Sequence, residues 1–226
     1  MNPYGFKHGM RYNENNVDLN RNMLVGLDGT PIEEGCTYEW AKESHPVKPD
    51  YEQFSSAFNW PRRWYCPWDD VFFFLYAAYM LCRYEYTALK RAIVSGQYHN
   101  CEGIFYGGSE LQPSYKALLG FLQKECAAAD PVFFIDVHTG LGPSGRDTML
   151  AEGGAETVSL VREVFGQPNQ PGGYIAGDLE DDENAAAGYE DTKGFSASLL
   201  TAMVQAGCAG WRRAHGVTQE FGTVRR

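Results

Sequence analysis

The chain has 226 residues, 44% of them hydrophobic, so it can bury the core of one α/β domain or of two small ones. Its formal net charge of -10 argues against a nucleic-acid binder, which needs a basic face. The longest apolar run, from Val71 to Cys82, is too short to span a bilayer, so it predicts a buried helix and no membrane partner. The cysteines form no C-x-x-C pair, which favours free thiols and a cytoplasmic location.

The first 67 residues predict loops rather than long helices. Residues 2–22 are polar and rich in turn-forming residues, which predicts a loop around a short strand. Repeated prolines interrupt the segment that follows. This second segment is rich in aromatic residues, which predicts a long insertion held to the protein by ring burial; they are Trp40, Tyr51, Phe54, Phe58, Trp60 and Trp64.

Beyond residue 67, helices alternate with apolar runs. Asp69-Asp70 is predicted to cap a helix that continues to about Ser95, and Pro113 to open a second helix that ends near Ala129. The run from Val132 to Val137 predicts a buried strand because it is almost wholly apolar. Two more helices are predicted over Ala155–Phe165 and Phe195–Ala206, and a final strand over Val217–Val224. Gly140–Gly145 and the acidic run Asp178–Glu183 are predicted to be loops.

This alternation predicts an α/β layered fold with a partly parallel sheet. In such sheets, active sites lie at strand ends and in the loops that follow them. His138 follows the predicted buried strand, and strand alternation places it on the same side as Asp136. The imidazole suits a metal ligand, and the alternative is a histidine hydrogen-bonded into the sheet edge.

Two further segments carry candidate chemistry. Asn20 and Arg21 offer an amide and a planar guanidinium that suit a carboxylate ligand, whereas a local salt bridge between Asp18 and Arg21 is the structural alternative. Glu220 lies in the predicted final strand next to Phe221. There it is either a partly desolvated general base or an edge carboxylate in water.

Several separated motifs occur in an order that resembles the M14 metallocarboxypeptidase superfamily, and more narrowly its DUF2817 branch. The motifs are Asn2-Pro-Tyr-Gly-Phe6, Arg11, Asn16-Val-Asp-Leu-Asn-Arg-Asn22, Gly96-Gln-Tyr98, Gly103-Ile-Phe-Tyr-Gly-Gly108, Asp136-Val-His-Thr-Gly140 and Glu220-Phe-Gly-Thr223. The resemblance implies a single metallocarboxypeptidase-like domain over residues 1–226. It also implies a three-layer α/β/α fold with a mixed sheet that lacks its first strands.

The resemblance further implies a zinc-dependent hydrolase that cleaves an amide bond next to a free carboxylate. His138 matches a zinc ligand and Glu220 the general base. Arg11 matches the arginine that stabilises the oxyanion, and Asn20 and Arg21 match the pair that holds the substrate carboxylate. Asp18 matches a carboxylate that orients another histidine ligand.

The family pattern has parts that this sequence does not match. A His-x-x-Glu segment before the Asn2-Pro3 turn supplies two more zinc ligands in the family, so we expect a fragment truncated at both ends, with an incomplete zinc site. Tyr174 and Tyr189 are both candidates for the tyrosine that closes over the substrate. The alternatives are an N-acyl amino acid amidohydrolase of the succinylglutamate desuccinylase and aspartoacylase type, and a non-catalytic remnant that binds a carboxylate ligand or a protein partner. The sequence does not indicate the oligomeric state.

Overall fold

The computed structural model describes residues 2–44, 51–52, 54–55, 59, 66–86, 88–89, 92, 95–139, 147–152, 155–166, 174–176, 193–208, 211 and 213–222. The predicted loops Gly140–Gly145 and Asp178–Glu183 lie outside these residues, as do Tyr189 and the side chain of Tyr174. The described residues form six α-helices and four strands, which confirms the α/β class.

The chain divides into two compact units, which are described separately. The first unit comprises Met1–Asn22, Gly35–Glu110 and Ala187–Gly194. The second comprises Met23–Glu34, Leu111–Ala186 and Phe195–Arg226. The single domain expected over residues 1–226 stays a prediction.

The second unit contains one mixed sheet. Its strands are β1 (Val132–Thr139), β2 (Asp147–Glu152), β3 (Tyr174–Ala176) and β4 (Ala214–Phe221), in the spatial order β1-β4-β2-β3. β1 runs parallel to β4, β4 antiparallel to β2, and β2 parallel to β3. The predicted mixed, partly parallel sheet is therefore confirmed. β2 and β3 were not predicted, because apolar and polar residues do not alternate in Asp147–Glu152, and β3 has only three residues.

Three helices accompany this sheet: α4 (Pro113–Glu125), α5 (Ala155–Phe165) and α6 (Ser198–Gln205). α5 has the predicted bounds, and its Val158 and Val161 pack with Met149 and Val217 of the sheet. α6 contacts the sheet at Gly216, where an added Cβ would lie 3.4 Å from Leu200. The core of this unit therefore forms where helices cover the strands.

The first unit contains α1 (Pro3–His8), a 3-10 helix (Leu19–Arg21), α2 (Tyr38–Ser44) and α3 (Pro67–Arg83). The short strand predicted within residues 2–22 is wrong, because the regular elements there are helical. α3 begins after Cys66, whose backbone N–H donates to Asp69 at 2.9 Å. Asp69 is thus the third helical residue and not the predicted cap. The helix ends at Arg83 rather than near Ser95, because Tyr84 is extended, with φ -127° and ψ 153°.

Ring burial holds part of the predicted insertion in place. Tyr51 and Phe54 are fully buried, and Phe54 packs with Met80 and Leu89. Trp40 is half-buried, whereas Phe58, Trp60 and Trp64 lie outside the described residues. Within the part of the chain that the structure describes, no helix combines the length and apolarity needed to cross a membrane.

Candidate functional site

Asp136, His138 and Glu220 form a group that we call the strand-end cluster. Asp136 and His138 are alternate residues of β1, and Glu220 is the register partner of His138 on β4. Because β1 and β4 are parallel, the side chains meet near the carboxyl ends of both strands. The predicted placement of Asp136 and His138 on one side is confirmed.

Both nitrogens of the His138 ring face carboxylates. Nε2 lies 2.9 Å from Oδ2 of Asp136, and Nδ1 lies 3.4 Å from Oε1 of Glu220. The carboxylate of Glu220 is buried, with 8% of the residue exposed. The expectation that Glu220 would be partly desolvated is therefore confirmed, in contrast to an edge carboxylate in water.

These contacts determine the charge of the imidazole. The hydrogen bond with Asp136, followed by that with Glu220, raises the pKa of His138 to about 9 against the opposing effect of burial. At neutral pH and without a metal, the ring is therefore a cation that donates from both nitrogens. Replacing the Nδ1 proton by a metal ion would preserve the Nε2 contact with Asp136, which is the usual support of a metal-binding histidine.

The strand-end cluster fits zinc only in part. An imidazole held by a carboxylate has the donor chemistry that zinc prefers. Among the described residues, however, there is no group of three or more His, Cys, Asp or Glu side chains arranged to hold a metal ion. His138 therefore suits one zinc ligand, and the described part of the chain does not supply a complete set.

Arg11, Asp18, Asn20 and Arg21 belong to the first unit, and we call them the loop cluster. Asp18 is buried, and its Oδ2 accepts a hydrogen bond from Nε of Arg11 at 2.8 Å. Its Oδ1 accepts from the backbone N–H of Asn20 at 3.1 Å, which caps the 3-10 helix. The Arg11 side chain is half-exposed and lies over the ring of Phe105.

Arg21 is a buried cation within the loop cluster. Its Nη1 donates to the carbonyl of Asn20 at 2.5 Å, and its own carbonyl accepts from the hydroxyl of Tyr98 at 2.7 Å. Burial raises the pKa of Tyr98, so the phenol stays a neutral donor. The stem of Arg21 packs on Gly96, whose φ of +74° and lack of a Cβ permit this approach. The 96–108 loop thus holds the backbone and the stem of Arg21, while the guanidinium contacts the carbonyl of Asn20.

Two asparagines, Asn16 and Asn22, connect the loops of the first unit. Both lie in the sequence motifs, but no role was predicted for them. Nδ2 of Asn22 donates to the carbonyls of Gly107 and Glu110 at 2.8 and 2.9 Å. Nδ2 of Asn16 donates to Cys101 and Gly103 at 2.9 and 3.0 Å. The sequence did contain a signal for this role, since both asparagines lie in motifs that accompany glycine-rich motifs. Short amide side chains often replace backbone hydrogen-bond partners in turns.

The other described histidines do not join the strand-end cluster. His8 stacks beside Tyr4 within α1. His99 pairs with Glu52 at 2.9 Å in the first unit. His215 is buried on β4 and lies 3.0 Å from the hydroxyl of Thr157. None of these therefore adds a ligand next to His138, and His45 lies outside the described residues.

Comparisons with known proteins give one result. The sequence model of a family described as "Protein of unknown function (DUF2817)" matches residues 1–226. No curated protein and no solved structure matches the chain.

Proposed function

Since the chain belongs to the DUF2817 family, and since its motifs resemble those of metallocarboxypeptidases, we propose that it is a zinc-dependent hydrolase that cleaves an amide bond next to a free carboxylate. The observation that carries the proposal is the strand-end cluster. It brings Nδ1 of His138 within 3.4 Å of the buried carboxylate of Glu220 at the ends of two parallel strands. A ligand-type imidazole beside a candidate base is what this chemistry requires.

Each member of the strand-end cluster has a distinct role in the proposal. Zinc, when bound, polarises the scissile carbonyl and acidifies water. His138 would hold the metal through Nδ1, because Asp136 occupies Nε2 and fixes the ring. Glu220 accepts a proton from the attacking water and returns it to the leaving amine.

The loop cluster has the complementary role of recognising charge. We assign the half-exposed Arg11 to the oxyanion, with Asp18 fixing its direction through the 2.8 Å contact. Asn20 and Arg21 bind the carboxylate of a peptide or N-acyl amino acid, for which a planar guanidinium is suited. By resemblance, Asp18 also orients a further histidine ligand.

The proposal extends to the fold and the compartment. α5 packs on Met149 and Val217, whereas α6 packs at Gly216. Since neighbouring strand residues point to opposite faces, these contacts support a three-layer α/β/α arrangement.

All six cysteines are free, which supports a cytoplasmic location.

A second candidate is a non-catalytic protein that binds a carboxylate ligand. The observation that favours it is that the described residues hold no set of three metal ligands. In this alternative, Arg21 would still bind the ligand, and Glu220 would only hold His138 in place.

Hydrolysis assays separate these functions. With excess zinc, the proposal predicts turnover of a peptide with a free terminal carboxylate, little turnover of its amidated form, and loss of at least about 100-fold in Glu220→Gln. Arg21→Lys, which keeps the charge but not the planar fork, should lose most of the preference for the carboxylate. Preferred turnover of an N-acyl amino acid would identify the amidohydrolase type.

The contrary outcomes are equally specific. Equal rates in wild type and Glu220→Gln would contradict the role of Glu220. Carboxylate binding by calorimetry without any zinc-dependent turnover would establish the non-catalytic candidate. The unfolding midpoint of Glu220→Gln serves as the control that the fold is retained.

A further inference from the structure

Helix α3 of the first unit leaves most of its large apolar side chains in solvent. Trp68, Phe72, Phe74 and Leu75 are between 63% and 69% exposed, and Tyr79 is 57% exposed. A helix that is apolar on all sides is normally buried. Exposed apolar surface of this size is typical of an interaction site rather than of a free surface.

One side of α3 has the spacing of a helix-pairing surface. Trp68, Val71, Leu75, Ala78 and Cys82 follow one another at intervals of three, four, three and four residues, and all five are exposed. At 3.6 residues per turn they form one stripe, which we call the α3 seam. The seam lies opposite Met80, the buried residue through which α3 packs on its own unit.

The composition of α3 disfavours a lipid surface as its partner. The helix has 17 residues, whereas about 20 residues are needed to span a bilayer. Helices that lie on membranes carry lysines and arginines along a polar face, whereas Arg83 is the sole basic residue of α3. The chain's net charge of -10 would also be repelled by anionic lipids.

We propose that two copies of this chain associate through antiparallel pairing of their α3 seams. A second copy offers the same three-four spacing, so the two stripes match along their whole length. With Leu75 at the centre of the pair, Trp68 of one copy faces the small Ala78 and Cys82 of the other. Parallel pairing would instead place the two Trp68 rings against each other.

The area that α3 offers approaches the area that such a dimer needs. At these exposed fractions, side chains of this size would bury on the order of 100 Å² each, so α3 offers roughly 700 Å² per copy. A stable interface buries about 800 Å² per partner. The seam and its flanking side chains Phe72, Phe74, Tyr79 and Leu81 therefore come close to this area before any other contact is added.

The charges at the ends of α3 agree with the antiparallel direction. Asp69 and Asp70 lie in its first turn and Arg83 in its last. Antiparallel pairing brings the acidic end of each helix level with the basic end of its partner, and it also opposes the two helix dipoles.

Sedimentation equilibrium tests the association. We expect wild type to form a dimer at micromolar concentration, and Leu75→Glu to raise the dimer dissociation constant by about 100-fold or more, because each seam would bury an unpaired charge. The matched control is Tyr86→Glu, which adds the same charge at a 67% exposed aromatic residue outside α3 and should leave the dimer intact. Since Leu75 is exposed, circular dichroism should show both variants folded.

Cross-linking tests the direction. In a background of Cys66→Ser and Cys101→Ser, adding Trp68→Cys should permit a disulfide with Cys82 of the second copy under mild oxidation, and no dimer-linking bond should form without it. A disulfide between two Cys82 residues would overturn the antiparallel arrangement. A wild-type chain that stays monomeric up to about 100 µM would overturn the proposal, and its binding to phosphatidylcholine vesicles would assign α3 to a lipid surface instead.

Discussion

The strand-end cluster and the loop cluster hold charged groups by different physical means. In the second unit, strand register alone places His138 beside Glu220, and two carboxylates stabilise the imidazolium. In the first unit, Asp18 and Arg21 are positioned by hydrogen bonds to the backbone and by glycines that permit close approach. We therefore expect the strand-end cluster to keep its fold when a local substitution changes a charge. The loop cluster should lose stability when a substitution strains its backbone.

The largest effect is expected from strain in the first unit. Gly108 has φ +91°, and an added Cβ would lie 2.7 Å from the side-chain amide of Asn22. Gly108→Ala should therefore lower the free energy of unfolding by about 4 kcal/mol through backbone strain and loss of the Asn22 bonds. Denaturant titration measures this loss.

Gly120→Ala is the matched control for that experiment. Gly120 lies within α4, and nothing approaches its Cβ position within 4 Å. Alanine should raise the free energy of unfolding there by about 0.5–1 kcal/mol, because it restricts the unfolded chain and favours helix. Equal effects of the two substitutions would contradict the account of the loop cluster.

The second effect concerns pH and the strand-end cluster. Because the folded pKa of His138, about 9, is above its ordinary value near 6.5, its stabilising contribution is complete below pH 6.5 and is lost as pH rises through 9. In chelator-treated protein, the free energy of unfolding should fall by at most about 3 kcal/mol over this window. His138→Gln should remove most of this fall, and an unchanged slope in that variant would assign the pH dependence to other groups.

Burial of the capping carboxylate gives a third test. Asp18→Ala should lower the free energy of unfolding by about 2 kcal/mol, because both the Arg11 contact and the cap of the 3-10 helix are lost. Asp28 caps a turn in the same manner, through Thr30, but it is fully exposed. Asp28→Ala should therefore cost clearly less, and denaturant midpoints of the two variants should differ in that order.

The smallest effect ranks the two carboxylates around His138. Asp136 contributes most to the raised pKa of His138, and Glu220 contributes less. Asp136→Asn should therefore lower this pKa by roughly one unit or more, and Glu220→Gln by a smaller amount. An NMR titration of the His138 ring measures both shifts, and the reverse ranking would show that Glu220 is its principal partner.

The part of the fold that periodicity determines was predictable from the sequence. α5 has the predicted bounds, and β1 begins at the predicted Val132, since both have clear apolar patterns. The end of α3 was not predictable, because apolar and aromatic residues continue past Arg83 into a segment where Tyr84 leaves the helix.

In the strand-end cluster, alternation predicted that Asp136 and His138 share a face. The register that brings Glu220 to them depends on pairing between residues about 80 positions apart, which no local pattern specifies.

The loop cluster was predictable only as a set of residue types. The sequence offered Asp18 and Arg21 as a local pair, whereas the structure gives Asp18 a contact with Arg11, seven residues away. Such contacts depend on how the loop is folded by Asn22 and Asn16, whose partners lie beyond residue 100.

A zinc titration followed by NMR at the His138 ring tests the central claim most directly. The account predicts weak binding, because the described residues supply one ligand, with zinc displacing the Nδ1 proton while Nε2 keeps its bond to Asp136. His138→Ala should abolish this binding, and His99→Ala, which removes a histidine outside the cluster, should leave it unchanged. A His138 ring that zinc does not perturb at millimolar concentration, or zinc binding that His138→Ala retains, would contradict the assignment of the strand-end cluster as the metal centre of a hydrolase.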